Sequence, residues 1–181
     1  MRKIVLDLAV TLDGFIEGPN GEIDWCIMDD DMNFEDFLSS IDTIFYGRVS
    51  YEMWKNYQPP TTASASEKAL FSDIHRKEKY VFSNTPNNNE PVKYISDDIF
   101  EQVTEIKKLP GKDIWLYGGA KLIKSFVDLN LIDNYRIAIH PTVLGSGKPL
   151  FENLQKRINL LLKEVNRFSS GVVQVVYDSN N

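Results

Sequence analysis

The chain has 181 residues, of which 43% are hydrophobic and 25% charged, and a chain of this length can bury one ordinary core, roughly 70% of its unfolded surface. Its 20 basic and 26 acidic residues give a net charge of −6, which argues against nucleic-acid binding because no basic stripe offsets it. The one cysteine, Cys26, and the isolated His75 and His140 indicate a reducing cytoplasm and no metal site.

The first forty residues predict a strand followed by a helix. Residues 3–11 are rich in β-branched and aliphatic side chains and stop at the turn pair Asp13-Gly14. They therefore predict a buried first strand rather than a signal peptide, and no apolar run approaches the ~18 residues that cross a bilayer. Asp30 and Asp31 stand at the expected start of the helix. Its apolar face has the i, i+3, i+4, i+7 spacing at Phe34, Phe37, Leu38 and Ile41.

A strand that stops at glycine and continues as a helix occurs twice. Residues 43–46 predict a short buried strand ending at Gly47, and residues 48–54 can continue as a helix. Residues 114–117 are apolar on both faces, as in a central parallel strand, and run into Gly118-Gly119. The helix that follows has an inner side formed by Leu122, Ile123, Phe126 and Val127.

The other elements complete a mixed sheet. Helices are expected from the polar loop at 58–66 up to His75, and across Ile99, Val103 and Ile106. Strands are expected at residues 79–83, 92–95, 135–140, 160–168 and 172–177, the last two joined by a hairpin at 169–171. We therefore expect a single α/β domain over residues 1–181. Its central sheet should be mixed and mainly parallel, with helices on both faces and an antiparallel C-terminal hairpin.

Ligands of open α/β sheets bind at the carboxyl ends of the strands. Gly118-Gly119 permits close approach of a pyrophosphate to a helix N-terminus, although it could serve only tight helix packing. Arg48 opposes the dipole of its helix unless an anion lies beside it, or it pairs with Glu52 at i+4. Ser83 and Asn84 follow the third strand and indicate either a ribose-phosphate site or an ordinary turn.

Together these segments resemble the dihydrofolate reductase superfamily, and most closely its branch like the reductase domain of bacterial riboflavin-biosynthesis deaminase/reductases. The resemblance covers nearly the whole chain. The residues that carry it are 8–16 (LAVTLDGFI), Gly47-Arg48, Ser83, 118–120 (GGA) and 140–151 (HPTVLGSGKPLF).

The resemblance implies NADPH as the hydride donor, lying across the strand ends. The nicotinamide would lie near Ala9, Thr11 and Ile16. The pyrophosphate would be held by Gly118, Gly119, Ala120, Lys121, Leu122 and Ile123, together with Gly47, Arg48, Val49 and Ser50. The 2′-phosphate would be read by Arg48, Ser83 and Asn84. Asn84 replaces a charge often found in the family, which implies a weakened preference for NADPH over NADH.

The resemblance also implies a substrate opposite the nicotinamide, against the first helix and the loop before it. The substrate-binding residues would be Trp25, Phe34, Leu144, Gly145 and Lys148. Asp30 or Asp31 would be the catalytic carboxylate that holds a ring N–H or relays a proton, the alternative being helix capping. Lys148 would bind an anionic group or be a solvated loop lysine, and its loop could border a partner subunit.

The function expected from these features is NADPH-dependent hydride transfer to a small pteridine- or pyrimidine-like heterocycle or to a carbonyl. The alternatives are a non-catalytic NADP(H)-binding module or sensor, and a partner-binding domain with an empty cleft. A homodimer is expected through residues 160–177, because an exposed edge strand invites pairing.

Overall fold

The predicted strands and helices follow one another in the expected order, and the short strands β2 and β8 and a 3-10 turn are additional to them. The computed structural model describes residues 1–87 and 89–180. The strands are β1 (Ile4–Thr11), β2 (Phe15–Glu17), β3 (Ile41–Gly47), β4 (Glu78–Phe82), β5 (Lys93–Ile95), β6 (Asp113–Gly118), β7 (Asn134–His140), β8 (Lys148–Pro149), β9 (Leu160–Arg167) and β10 (Val173–Ser179). The helices are α1 (Phe34–Ser40), α2 (Arg48–Trp54), α3 (Ala65–Arg76), α4 (Ile99–Lys108) and α5 (Ala120–Asp128), and Asp30–Met32 forms a separate 3-10 turn.

The main sheet has eight strands in the order β5-β4-β3-β6-β1-β7-β10-β9. From β5 to β7 all neighbours are parallel, whereas β10 pairs antiparallel with both β7 and β9. The predicted mixed, mainly parallel sheet with an antiparallel C-terminal hairpin is therefore confirmed. The strands β2 and β8 form a small antiparallel sheet of their own.

Alternate residues of the central strands are buried on opposite faces of the sheet. Ile4 and Leu6 of β1 pack into one core with the inner sides of α4 and α5. Val5, between them, packs into a second core with Phe37 of α1. Helices therefore cover both faces, which is why the parallel strands are continuously apolar. In the described residues, no helix combines the length and the apolar character needed to cross a bilayer.

The start and end of the first helix differ from expectation. Ile41 was expected on its apolar face, but α1 ends at Ser40 and Ile41 begins β3. Asp30 and Asp31 belong to the 3-10 turn, which Asn33, with a φ of 48°, separates from α1. Neither N-terminus has a side-chain cap, so helix capping by Asp31 is wrong. Asp31 does not cap the helix because its carboxylate accepts a hydrogen bond from a distant part of the chain.

A crevice opens between β1 and β6 before either strand ends. Their pairing stops at Leu6 opposite Leu116. Beyond that point β1 continues beside β7 to Thr11, and β6 continues beside β3 to Gly118. After β1 the chain continues to β3, on one side of the β1–β6 pair, whereas after β6 it continues to β7, on the other side. Residues 7–11 therefore border a crevice where the strand order reverses, which is the usual ligand position in open α/β sheets.

Candidate active site

Four adjacent strand ends carry the residues predicted to bind a dinucleotide. In sheet order the strands are β4, β3, β6 and β1. Ser83-Asn84 follows β4, residues 48–50 follow β3, Gly118-Gly119 ends β6, and Ala9 and Thr11 lie at the end of β1. Because neighbouring strands lie ~4.8 Å apart, the row spans about 14 Å. The structure thus lines up the predicted ribose-phosphate, pyrophosphate and nicotinamide residues in that order along one edge.

Glycines bring the starts of α2 and α5 together in the middle of this row. A Cβ on Gly47 would lie 3.3 Å from the Gly119 nitrogen, and a Cβ on Gly119 would lie 3.4 Å from the Ser50 hydroxyl oxygen. Gly118 has a φ of 112°, which favours glycine, and its peptide bond to Gly119 is cis. Without side chains at 47 and 119, a cradle between the two helix N-termini stays open; we call it the glycine cradle.

Free N–H groups at the start of α5 can serve an anion in the glycine cradle. The N–H groups of Leu122 and Ile123 donate to the Gly119 carbonyl at 2.9 and 3.1 Å, and both side chains are buried in the core. Among the described residues, the N–H groups of Ala120 and Lys121 have no acceptor. A helix N-terminus with unbonded N–H groups favours a phosphate.

Of the polar residues beside the glycine cradle, Arg48 is exposed and Ser83 is half-buried. The Arg48 guanidinium donates to both carboxylate oxygens of Glu52 at 3.0 Å, which is the alternative pairing expected from their i+4 spacing. An exposed pair of this kind contributes little stability, so Arg48 can exchange its partner for a phosphate. Ser83 accepts the Thr85 N–H at 3.1 Å as part of a turn, and Asn84 is exposed.

Asp13 joins the end of β1 to the loop at Leu144 and Gly145, which the sequence did not indicate. Its carboxylate accepts the Thr11 hydroxyl at 2.6 Å and the N–H groups of Leu144 and Gly145 at 3.3 and 2.7 Å. These bonds, the one from Thr11 most of all, lower the pKa of Asp13. The Thr11 hydroxyl also accepts the Phe15 N–H at 3.0 Å. It therefore shapes the turn that follows β1.

Two further predicted site residues lie on the small sheet of β2 and β8. The Lys148 ammonium pairs with the Glu17 carboxylate at 2.7 Å across this sheet. Ile16 is half-buried and packs against the main core. The lysine suggested for an anionic group thus has a carboxylate partner within the protein.

His140, the last residue of β7, holds the loop that carries Trp25. Its buried ring meets the Trp25 ring edge-on at 5.4 Å. Its Nδ1 accepts the Ile27 N–H at 3.3 Å, which requires the neutral imidazole. Burial lowers the pKa of His140, and Asp29 partly opposes this effect. Phe34 lies apart from this contact and packs edge-on against Trp115 at 5.7 Å.

Carboxylates before α1 bond the C-terminal hairpin. Asp31 Oδ2 accepts the Ser169 N–H and Asp29 Oδ2 accepts the Ser170 N–H, each at 3.1 Å. These bonds explain why Asp31 does not cap α1. The side chain of Asp30 lies outside the described part of the structure. Catalysis by Asp30 or Asp31 stays a prediction.

An ion pair between a half-buried arginine and a buried carboxylate crosses from β1 to β7. Arg136 Nε donates to Asp7 Oδ2 at 2.7 Å. Burial raises the pKa of the Asp7 carboxyl, and the charge of Arg136 opposes the rise. Because side chains alternate along a strand, Asp7 lies on the same face as Ala9. Sequence reasoning missed this pair, although a charge inside an otherwise apolar strand was a signal for it.

The His140 contact predicts a pH dependence of stability. Folding lowers the pKa of His140 from 6.5. The neutral histidine therefore stabilises the folded protein fully above pH 6.5, and this contribution is lost as the pH falls through the pKa of the folded state. The free energy of urea unfolding should therefore fall between pH 7.5 and pH ~5.5, less steeply in His140→Phe. His75→Gln is the matched control and should keep the natural slope. Equal slopes for His140→Phe and the natural protein would contradict the role given to His140.

Comparison with known proteins gives relatives over the whole chain. The uncharacterized protein YyaP of Bacillus subtilis strain 168 is 58% identical over 181 residues, covering 99% of this chain and 96% of YyaP. A crystal structure from Shewanella sp. PV-4, provisionally named a riboflavin biosynthesis protein, superposes with a TM-score of 0.80 at 22% identity, covering 100% of both chains.

Dihydrofolate reductase has the same fold. The enzyme of Enterococcus faecalis, complexed with NADP(H) and RAB-propyl, superposes with a TM-score of 0.62 at 14% identity, covering 99% of this chain and 97% of that one. The family model of the RibD C-terminal domain matches residues 2–174. This chain therefore belongs to the RibD C-terminal domain family.

Proposed function

We propose that this protein is a cytoplasmic NADPH-dependent reductase that transfers a hydride to a small heterocycle or a carbonyl. The observation that carries the proposal is the row of strand ends, with the glycine cradle at its centre and the crevice between β1 and β6 at one end. Family membership supports it. The NADP(H) bound by the E. faecalis reductase, which shares this fold, supports the choice of cofactor.

Each part of the row has a role in this proposal. The N–H groups of Ala120 and Lys121 bind the pyrophosphate, and Arg48 leaves Glu52 to bind the 2′-phosphate. The small side chain of Ala9 leaves the crevice open for the nicotinamide. Bound NADPH supplies the hydride, and the protein supplies orientation and the exclusion of water.

Thermal unfolding with and without each nucleotide tests cofactor binding. NADPH at 100 times its dissociation constant should add about 2.7 kcal/mol to the stability, with a visible rise in Tm. If NADPH binds, loss of its absorbance near ~340 nm with pterin, pyrimidinone and aldehyde substrates tests turnover. Binding without turnover on any of them would favour the non-catalytic module. No shift with NADPH or NADH would contradict the proposal.

Arg48→Ala should change the affinity for NADPH and the affinity for NADH by different amounts. Loss of a charge-assisted contact should weaken NADPH by about 1.5–3 kcal/mol and leave NADH nearly unchanged. Glu52→Ala is the control, because it removes the competing carboxylate of the same pair and should not weaken NADPH. Titration of each variant with both nucleotides measures the effect. Equal weakening of NADPH and NADH would remove Arg48 from the 2′-phosphate site.

We also propose a homodimer through the C-terminal strands. The edge strand β9 exposes Leu161, Leu162 and Val165 by 53, 57 and 50%, and a long apolar edge invites a second strand. Size-exclusion chromatography with light scattering should give a mass near twice 20.8 kDa. Leu161→Lys with Val165→Lys should give the single-chain mass. A natural protein of single-chain mass at micromolar concentration would contradict the proposal.

A further inference from the structure

A polar cavity lies on the sheet face beyond β1. It has a volume of about 510 Å³ and lies between α1 with its preceding 3-10 turn and the strands β7, β9 and β10. Cavities of ~300–1,000 Å³ are the usual size for small-molecule sites. Arg136, which lines the cavity, pairs with Asp7 two residues before Ala9 on the same face of β1. Through this pair the cavity lies on the same side of the sheet as the crevice that the proposed function gives to the nicotinamide.

The guanidinium of Arg136 is held on one edge and one face. Its Nε donates to Asp7 Oδ2 at 2.7 Å, and its Cζ lies 5.0 Å from the centre of the Phe37 ring. The side chain is 25% exposed. Among the described residues, nothing accepts a hydrogen bond from its two Nη nitrogens. Two parallel N–H donors, fixed by Asp7 and Phe37, are thus left for a ligand in the cavity.

The charges around the cavity indicate what the ligand carries. The charged lining consists of Asp31, Asp36, Glu164, Arg136 and Arg167. Three carboxylates against two guanidinium groups repel a phosphate dianion more than they attract it. A neutral ligand meets no such penalty. The paired N–H donors of an arginine fit a carbonyl oxygen beside an acceptor ring nitrogen, the same pair through which arginine binds O6 and N7 of guanine.

We propose that this cavity is the substrate pocket, and that the Nη edge of Arg136 binds a flat, phosphate-free heterocycle through a carbonyl oxygen and the neighbouring ring nitrogen. The proposal rests on the proposed function and names the substrate class of the same site. Asp7 is a positioning residue, because it turns the guanidinium toward the cavity without itself lining it.

Calorimetric titration with matched ligands tests the pocket, in the presence and in the absence of NADPH. Pteridine-2,4-dione offers the carbonyl and ring-nitrogen pair, and its 5-deaza analogue lacks only the nitrogen. The dione should bind the natural protein at least ~10-fold more tightly than the analogue. Inorganic phosphate should not compete with it. Equal affinity for the two heterocycles, no binding of the dione, or competition by phosphate would each overturn the proposal.

Arg136→Lys tests the anchor while keeping the charge opposite Asp7. It should weaken the dione at least ~10-fold and remove the preference over the 5-deaza analogue, since lysine offers no paired donors. Arg157→Lys, at an exposed arginine, should change neither. NADPH-dependent stabilisation of Arg136→Lys confirms that the variant is folded. Unchanged dione binding by Arg136→Lys would overturn the anchor.

The two proposals fail separately in this experiment. Binding of the dione without any response to NADPH would leave the pocket in place and remove the reductase proposal. A response to NADPH without binding of the dione would leave the reductase proposal and remove the pocket.

Discussion

Gly119→Ala should fold like the natural protein and bind NADPH at least ~100-fold more weakly, a loss of about 2.8 kcal/mol. Gly119 has a φ of −86°, which alanine adopts without strain. The added Cβ would lie 3.4 Å from the Ser50 hydroxyl oxygen, an ordinary contact. The methyl group would, however, stand between the starts of α2 and α5. It would therefore displace the pyrophosphate from the free N–H groups of the glycine cradle.

Fluorescence titration with NADPH measures the Gly119→Ala effect, and urea unfolding shows whether the variant keeps its stability. Gly18→Ala is the matched control, because it adds the same methyl group away from the cradle, where the nearest atom is the Glu22 carboxylate oxygen at the end of a flexible side chain. It should keep the natural NADPH affinity. A folded Gly119→Ala with unchanged affinity would show that the pyrophosphate does not lie in the cradle.

The strand ends could be predicted because their signals are local. Residues 43–46 and 114–117 are short apolar runs that stop at glycine, and this pattern fixes both the strand and the helix start that follows. Gly47 and Gly118-Gly119 come together because β6 lies beside β3 in the parallel sheet, an adjacency that the local patterns do not reveal. The sequence therefore predicts which strand ends carry the candidate cofactor residues, whereas the strand order that places them in one row is seen only in the fold.

The contacts that shape the substrate side could not be predicted because they join distant parts of the chain. Asp31 bonds the Ser169 N–H, 138 residues away, and nothing in the local sequence favours this bond over a helix cap. The small sheet has strands of 3 and 2 residues, too short for any periodicity to appear. Arg136 meets Asp7 across 129 residues, so the charge within an apolar strand indicates that Asp7 has a partner, but only the fold shows which residue it is.

Arg136→Ala should lower the free energy of unfolding by about 3–5 kcal/mol at pH 7, because it leaves the Asp7 carboxylate buried without its partner. Burial already raises the pKa of Asp7 from 3.8, and loss of the arginine raises it further. The destabilisation by Arg136→Ala is complete at pH values above the pKa of Asp7 in the folded variant. It disappears as the pH falls through that pKa toward the pKa of Asp7 in the unfolded chain. Urea unfolding of the natural protein and of Arg136→Ala should show that the difference between their free energies of unfolding becomes smaller as the pH falls.

The double variant Asp7→Leu/Arg136→Met separates the structural role of the pair from its role in binding. Replacing both members of a buried ion pair with apolar side chains is often neutral or stabilising by about 1–4 kcal/mol. The double variant should therefore have a midpoint of urea unfolding at or above that of the natural protein, and it should still bind NADPH. It should nevertheless no longer bind pteridine-2,4-dione, because the N–H donors of the arginine are absent from the cavity. A double variant that keeps the dione would mean that the pair serves stability alone, whereas one that unfolds as readily as Arg136→Ala would mean that the sheet requires the charges themselves.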